Sequence, residues 1–295
     1  MPKDPMSANK LENAWRSHER KWKDNLFVYA VISRRSRGIS VGINLNPDKI
    51  CNFDCIYCQV ARSRTPEVRQ VDLEKVDEEL GLILEAECSG LLYEDTPFDV
   101  LSAEERGVRD IAFSGNGEPT ASPHFAAAVS LAARARLKFQ LNSTKLILLT
   151  NATCLDKPSV RTALAELDQN NGEIWAKLDA GTEKHFRLVN RSHVVPLRRI
   201  LDNMLDAARM RPLVIQSLWF RSLDVAPPSE EIESYCERLN DLLEQGGKLK
   251  SIQLYTIARH PSECSASPLS NAELDCIAGI VRIRVPVPVE LFYGV

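Results

Sequence analysis

Three cysteines fall within one short stretch, Cys51-Asn52-Phe53-Asp54-Cys55-Ile56-Tyr57-Cys58. Spacings of four and three residues in a compact loop can aim three thiolates at one point. Three thiolates suit a four-iron cluster that keeps one iron open, whereas a structural zinc ion closes with four ligands, typically as two separated pairs. The next cysteine is Cys88, and no histidine lies close by in sequence. An open iron can bind and activate a second molecule, as the open position of a catalytic zinc does. A zinc ion completed by a distant ligand and three unrelated thiols are the competing readings. The other five cysteines, Cys88, Cys154, Cys236, Cys264 and Cys276, are scattered and read as free thiols of the kind proteins bury.

Further polar groups stand where strands should end. Ser114-Gly115-Asn116-Gly117-Glu118-Pro119-Thr120 follows a short apolar run. Its glycines permit a close backbone approach to a ligand. Glu118 can accept charge-assisted hydrogen bonds from an ammonium group, or the segment can be a plain turn into the next helix. Thr150 and Asn151 close another apolar run, Lys177 and Asp179 a third, and Gln253 and Tyr255 lie in a later one. These side chains can bind a ribose or a carboxylate, or serve as strand-end caps and ion pairs.

The elements that must position them alternate. Strands are expected at Ile39 to Leu45, Asp110 to Ser114, Lys145 to Thr150, Glu173 to Leu178, Leu213 to Phe220 and Lys250 to Ile257. Helical spacing occupies Val71 to Glu87, Pro123 to Phe139, Pro158 to Leu167, Val195 to Met210, Ser229 to Glu244 and Asn271 to Val281, with a last extended piece over Val285 to Leu291. Near-continuous apolar strands alternating with helices imply a parallel sheet, because each parallel crossover needs a helix. In such a sheet working residues gather at the carboxyl ends of the strands, so the groups above share one rim. A polar leader over residues 1–27, with a short helix from Lys10 to Lys23, precedes one domain over residues 28–295.

The chain has 295 residues, 44% apolar and 26% charged, which excludes disordered, collagen-like and coiled-coil classes. No apolar run approaches the roughly 18 residues that span a bilayer, and the polar N-terminus carries no secretory core, so no membrane partner and a reducing cytoplasmic location are expected. Charge is uneven. Residues 1–70 hold 13 Lys and Arg against 7 Asp and Glu, in a chain of net charge -3. That asymmetry is either a solvated basic face or the mark of an anionic partner, RNA or a phosphorylated metabolite.

Cys51-x3-Cys55-x-Tyr57-Cys58 resembles the signature of the radical S-adenosylmethionine (SAM) superfamily, including the aromatic residue before the last cysteine. The resemblance implies a partial (β/α)6 TIM-type barrel, the radical SAM core. It implies a [4Fe-4S] cluster on Cys51, Cys55 and Cys58 whose open iron chelates the amino and carboxylate groups of SAM. One-electron reduction, from a donor such as flavodoxin or ferredoxin, would cleave SAM to methionine and a 5′-deoxyadenosyl radical that takes a hydrogen from the substrate. It assigns Gly115, Asn116, Gly117 and Glu118 to the SAM amino group and the Tyr57 backbone to adenine. It leaves Thr150, Asn151, Lys177, Asp179, Gln253 and Tyr255 as further cofactor contacts. The split Gly-Asn-Gly form, Ser33-Arg34-Arg35 and Gln253-Leu254-Tyr255 resemble the wyosine-synthase-like subgroup. No cysteine precedes Cys51 to hold the second cluster of wyosine synthases. A glycyl-radical-enzyme activase and a zinc- or cluster-bearing nucleic-acid-binding module are the alternative functions.

Overall fold

The computed structural model describes residues 14, 15, 22–192 and 194–294. The leader helix expected over Lys10 to Lys23 lies, apart from Ala14, Trp15, Trp22 and Lys23, outside the described residues.

The main sheet has eight strands: β1 (Val28–Ser33), β2 (Gly38–Ile43), β3 (Val108–Phe113), β4 (Lys145–Thr150), β5 (Gly172–Lys177), β6 (Leu213–Leu218), β8 (Leu249–Tyr255) and β10 (Val289–Phe292). They lie side by side in chain order. From β2 to β10 every neighbour is parallel. Between them run α1 (Leu73–Ser89), α2 (Phe125–Lys138), α3 (Pro158–Gln169), α4 (Glu183–Val189), α5 (Leu197–Met210), α6 (Ser229–Glu244) and α7 (Asn271–Arg284). Sequential parallel strands with a helix at each crossover curl the sheet into a half-barrel, as expected. Among the described residues β1 and β10 do not pair, so the curl stays open.

The strands are runs such as Gly38–Ile43 and Leu213–Leu218 that are buried along their whole length, as a sheet covered on its outer face requires. The α5 helix shows how the cover works. Leu197, Ile200, Met204, Leu205 and Ala208 recur at helical spacing and are buried. Ser270 and Glu273 form a capping box at the start of α7, and Asp72 caps α1 by accepting from the Glu74 and Lys75 amides.

The structure adds to the sequence reading at four places. Val28–Ser33 is an extra edge strand, antiparallel to β2. Glu79 of α1, fully buried, accepts from the backbone N–H groups of Leu26, Phe27 and Val28 and so fixes where that strand starts. The apolar run beyond Leu218 breaks, and β7 (Phe220–Ser222) pairs with β9 (Ala266–Pro268) in a separate ribbon. The seven-residue α4 is too short for periodicity to reveal. The last extended segment joins the main sheet as β10.

Inward-facing Ala112, Ile147, Trp175 and Val214 pack together as a plug across the middle of the curl. With a side-chain period of two, Ser114, Leu149, Lys177 and Gln216 stand one step further along the same strands, and all four line the cavity above.

Candidate active site

A single cavity of about 320 Å³ takes in the concave face of the half-barrel and the loop after β2. Cys51, Cys55 and Cys58 all line it, as free thiols. Among the described residues no group of three His, Cys, Asp or Glu side chains is placed to hold a single metal ion. The three thiols therefore share a wall without converging on one ion-sized point.

The cysteine loop is held from several sides. Asp54 and Ile56 donate backbone N–H groups to the carbonyls of Asn190 and Val189, at 3.2 and 3.0 Å. The Cys58 carbonyl accepts from the Ser262 amide and hydroxyl, at 2.9 and 2.8 Å. Asn190 Nδ2 donates to Cys55 Sγ at 3.5 Å, and Arg62 Nη2 to Cys58 Sγ at 3.7 Å. Arg62 also donates to the Lys49 and Asn116 carbonyls, joining the cysteine loop to the glycine turn. Burial raises the Cys51 thiol and pushes Cys55 up to about 12, against the opposing hydrogen bond from Asn190. Burial holds such a thiol protonated, and a cation bound at the sulfur would displace the proton to solvent, as happens when a thiol becomes a metal ligand.

These residues fit an iron–sulfur cluster. They offer three unoxidised thiols on one wall, with amide and guanidinium donors at two of the sulfurs. Arg62 Nε and Asn190 Oδ1 are buried without a hydrogen-bond partner, so the wall beside the thiols retains unspent polar capacity.

The glycine turn lines the cavity and is also packed closely within the fold. A Cβ on Gly115 would sit 2.3 Å from Asn44 Oδ1, and one on Gly117 would sit 2.2 Å from the Ile50 carbonyl. The two glycines let the turn after β3 pack against the approach to the cysteine loop. Asn44 Oδ1 accepts from the Asn46 and Asn116 amides, both at 3.1 Å, and holds the two segments in register.

Glu118 is 2% exposed yet contributes to the cavity wall. One carboxylate oxygen accepts from the Thr120 amide (3.2 Å), the Thr120 hydroxyl (2.5 Å) and the Thr150 hydroxyl (2.7 Å). The other accepts from the Asn151 amide at 2.7 Å. Burial raises the Glu118 pKa while these bonds pull it down. Asn151 Nδ2 in turn donates to Asn52 Oδ1 at 2.7 Å, tying the end of β4 to the cysteine loop.

Across the cavity the Tyr57 hydroxyl donates to Asp179, and its ring stands edge-on to Phe220 at 5.5 Å. Asp179 also accepts from the Leu218 amide (2.8 Å) and Asn190 Nδ2 (3.2 Å), and pairs with Lys177 at 3.3 Å. The Lys177 ammonium donates to the Tyr255 hydroxyl at 2.6 Å and lies 5.1 and 5.2 Å from the Tyr57 and Tyr255 ring centres. Burial pulls the Lys177 pKa down, but Asp179 and Tyr255 together outweigh it, so the group stays charged.

Of the residues expected at the site, Asp179 and Gln253 are not on the cavity wall. Asp179 is buried behind Lys177, and Gln253 accepts from Gln216 Nε2 at 2.8 Å behind that residue. Tyr57, Gly115, Asn116, Gly117, Glu118, Thr150, Asn151, Lys177 and Tyr255 do line the cavity. Arg62, Asn190, Asn52 and Asp110 are not expected at the site from the sequence, and Arg35 enters there only as part of Ser33-Arg34-Arg35. Arg62 is four residues beyond Cys58, a basic residue next to thiolates that could have drawn notice.

Asp110 gives a pH prediction. It is 1% exposed, and burial raises its pKa from 3.8 to about 6, against the hydrogen bonds from serine and the nearby Arg35 charge. The folded state therefore binds this proton more tightly than the unfolded chain. Its contribution to stability is complete below pH 3.8 and is lost as the pH rises through about 6. The gap corresponds to about 3 kcal/mol. Asp110→Asn is expected to become more stable than the wild type by about 1–3 kcal/mol between pH 4 and pH 8. Urea denaturation at both pH values measures it, and parallel pH profiles would refute it.

No family model matches the chain. A UPF0026 protein of Helicobacter pylori is 29% identical over 257 residues, which cover 85% of this chain and 73% of that protein. Among solved structures, a radical SAM methyltransferase from Sphaerobacter thermophilus superposes with a TM-score of 0.61 at 12% identity, covering 90% of this chain and 69% of that one. TYW1 with a lysine-pyruvate adduct bound gives 0.54 at 16% identity, covering 92% and 81%. The chain has the half-barrel fold of radical SAM enzymes. No helix among the described residues is long and apolar enough to cross a membrane.

Proposed function

We propose that the chain is a radical SAM enzyme with a [4Fe-4S] cluster held by Cys51, Cys55 and Cys58. The observation that carries this reading is the meeting of three free thiols, the Glu118 turn and a polar lumen in one cavity of a half-barrel. When bound, the cluster and SAM supply a one-electron cleavage that yields a carbon radical able to remove a hydrogen atom from a substrate.

The protein's own part is to bind, orient and exclude water. Asn190 and Arg62 donate to two of the sulfurs, which steadies them and tunes their basicity. Glu118, with Thr150 and Asn151, sets a negative wall beside the glycine turn that suits the ammonium of SAM. Lys177, held by Asp179 and two tyrosine rings, offers a fixed positive charge for a carboxylate or a ribose oxygen. The plug of Ala112, Ile147, Trp175 and Val214 closes the lumen beneath. The reading calls for a one-electron donor of the flavodoxin or ferredoxin class and a reducing, cytoplasmic setting. The basic residues of the first 70 positions favour RNA or a phosphorylated metabolite as substrate.

Anaerobic reconstitution tests it. About four irons and four sulfides per chain are expected, with 5′-deoxyadenosine released after SAM and dithionite are added. Stoichiometric zinc without SAM cleavage would refute the proposal.

A further inference from the structure

The turn between β1 and β2 carries Arg35, whose side chain reaches the same cavity. Its guanidinium lies 5.7 Å from the Trp175 ring centre and 5.3 Å from the Tyr255 ring centre. Two aromatic neighbours on different strands hold the guanidinium over their rings without using its N–H donors. Those donors make no hydrogen bond to any described residue. The neighbouring Arg34 is spent differently, on the Tyr293 carbonyl across the open side of the sheet.

The surroundings point the same way. Five basic side chains line the cavity, Arg35 among them, against the carboxylates of Asp110 and Glu118. Glu118 is engaged by Thr120, Thr150 and Asn151, and Lys177 already has Asp179 as its counter-charge. Arg62 likewise lies 3.9 Å from Asp54, and Arg259 donates to the Trp15 carbonyl and Gln59, which leaves Arg35, among the described residues, as the cavity cation with unused N–H donors held over two rings. Two buried acceptors on cavity-lining residues, Asp110 Oδ2 and Gln216 Oε1, also lack a partner. A ligand that satisfies all three presents an oxyanion to Arg35 and an N–H or O–H donor to the acceptors.

We propose that Arg35, seated on Trp175 and Tyr255, is the anchor for a phosphate or carboxylate group of the substrate, with Gln216 and Asp110 receiving its hydrogen-bond donors. The role of this anchor as a substrate subsite rests on the radical SAM reading. The binding itself is measured separately from that chemistry.

Trp175 lies under Arg35 and provides the readout. The full chain is titrated with sodium pyrophosphate and, in a second arm, with sodium malonate, at constant ionic strength made up with sodium chloride. A saturable change in tryptophan fluorescence is expected with at least one of them, and Trp175→Phe should abolish the signal. Binding should weaken by about 10-fold or more in Arg35→Ala, and by less in Arg35→Lys, which keeps the charge but not the planar fork. The arm that binds identifies the group as phosphate or carboxylate. Absence of saturation with both anions overturns the proposal, as does equal affinity in the wild type, Arg35→Ala and Arg35→Lys. The titration is repeated after cluster reconstitution. Arg35-dependent binding without SAM cleavage sinks the enzymatic reading and leaves the anion site standing. SAM cleavage without Arg35-dependent binding sinks the anion site alone.

Discussion

Cys55→Ala is expected to reduce the iron content of the reconstituted protein from about four per chain to nearly none. Release of 5′-deoxyadenosine should disappear with it. Cys55 is the middle thiol of the three and is held in place by Asn190. Two remaining thiols would leave such a cluster with a second iron lacking a protein ligand, too weakly held to be retained. Cys154→Ala is the control, since that thiol is buried away from the cavity wall. It should retain both iron and cleavage. Asn190→Ala removes the donor to the sulfur but leaves the thiol, and outer partners of this kind are worth about 10–100-fold in metal affinity. Iron release to a chelator should therefore be faster in Asn190→Ala than in the wild type, without the complete loss seen in Cys55→Ala. Iron retained in full by Cys55→Ala would disprove the ligand assignment.

Glu118→Ala should be the most destabilising single change in the cavity wall. It strips the acceptor from the Thr120 amide and hydroxyl, the Thr150 hydroxyl and the Asn151 amide at once. An unmet buried donor costs about 1–3 kcal/mol, and water admitted from the cavity recovers part of the sum. A net loss of at least about 3 kcal/mol in urea denaturation is expected. Glu118→Gln keeps one acceptor oxygen and should lose about half as much. SAM affinity separates the structural duty from the electrostatic one. If the charge meets an ammonium, Glu118→Gln should weaken SAM binding by about 10–100-fold in equilibrium dialysis. Unchanged stability in Glu118→Ala would show that the wall does not depend on this carboxylate.

Much of this site follows from one rule and one motif. The rule that working residues sit at the carboxyl ends of parallel strands is enough to place Glu118, Thr150, Asn151, Lys177 and Tyr255 on a common rim. It fails at Asp179 and Gln253 for local reasons. β5 ends at Lys177, so the two-residue period that would carry Asp179 to the same face no longer applies, and Asp179 turns in to meet the Leu218 amide. Gln253 is screened by the Gln216 amide from the next strand, a contact that depends on register across the sheet. Arg35 is legible only once Val28–Ser33 is read as a strand. The run Val-Tyr-Ala-Val-Ile-Ser is apolar and β-branched, and four polar residues separate it from Gly38, which is a hairpin signal. Asn190 had no such signal, because it follows a helix of seven residues and acts through the fold alone.

The supports of the cysteine loop also impose an order in time. The amide that steadies Cys55 is 135 residues downstream of it, and the serine that donates to the Cys58 carbonyl is 204 residues downstream. A chain made from its N-terminus exposes these thiols long before either support has emerged. The nascent loop is therefore three loose thiols on an unfinished sheet. Under the proposed assignment, loading it with iron and sulfide belongs after translation, when the final strands have docked and the thiols have a shape to offer.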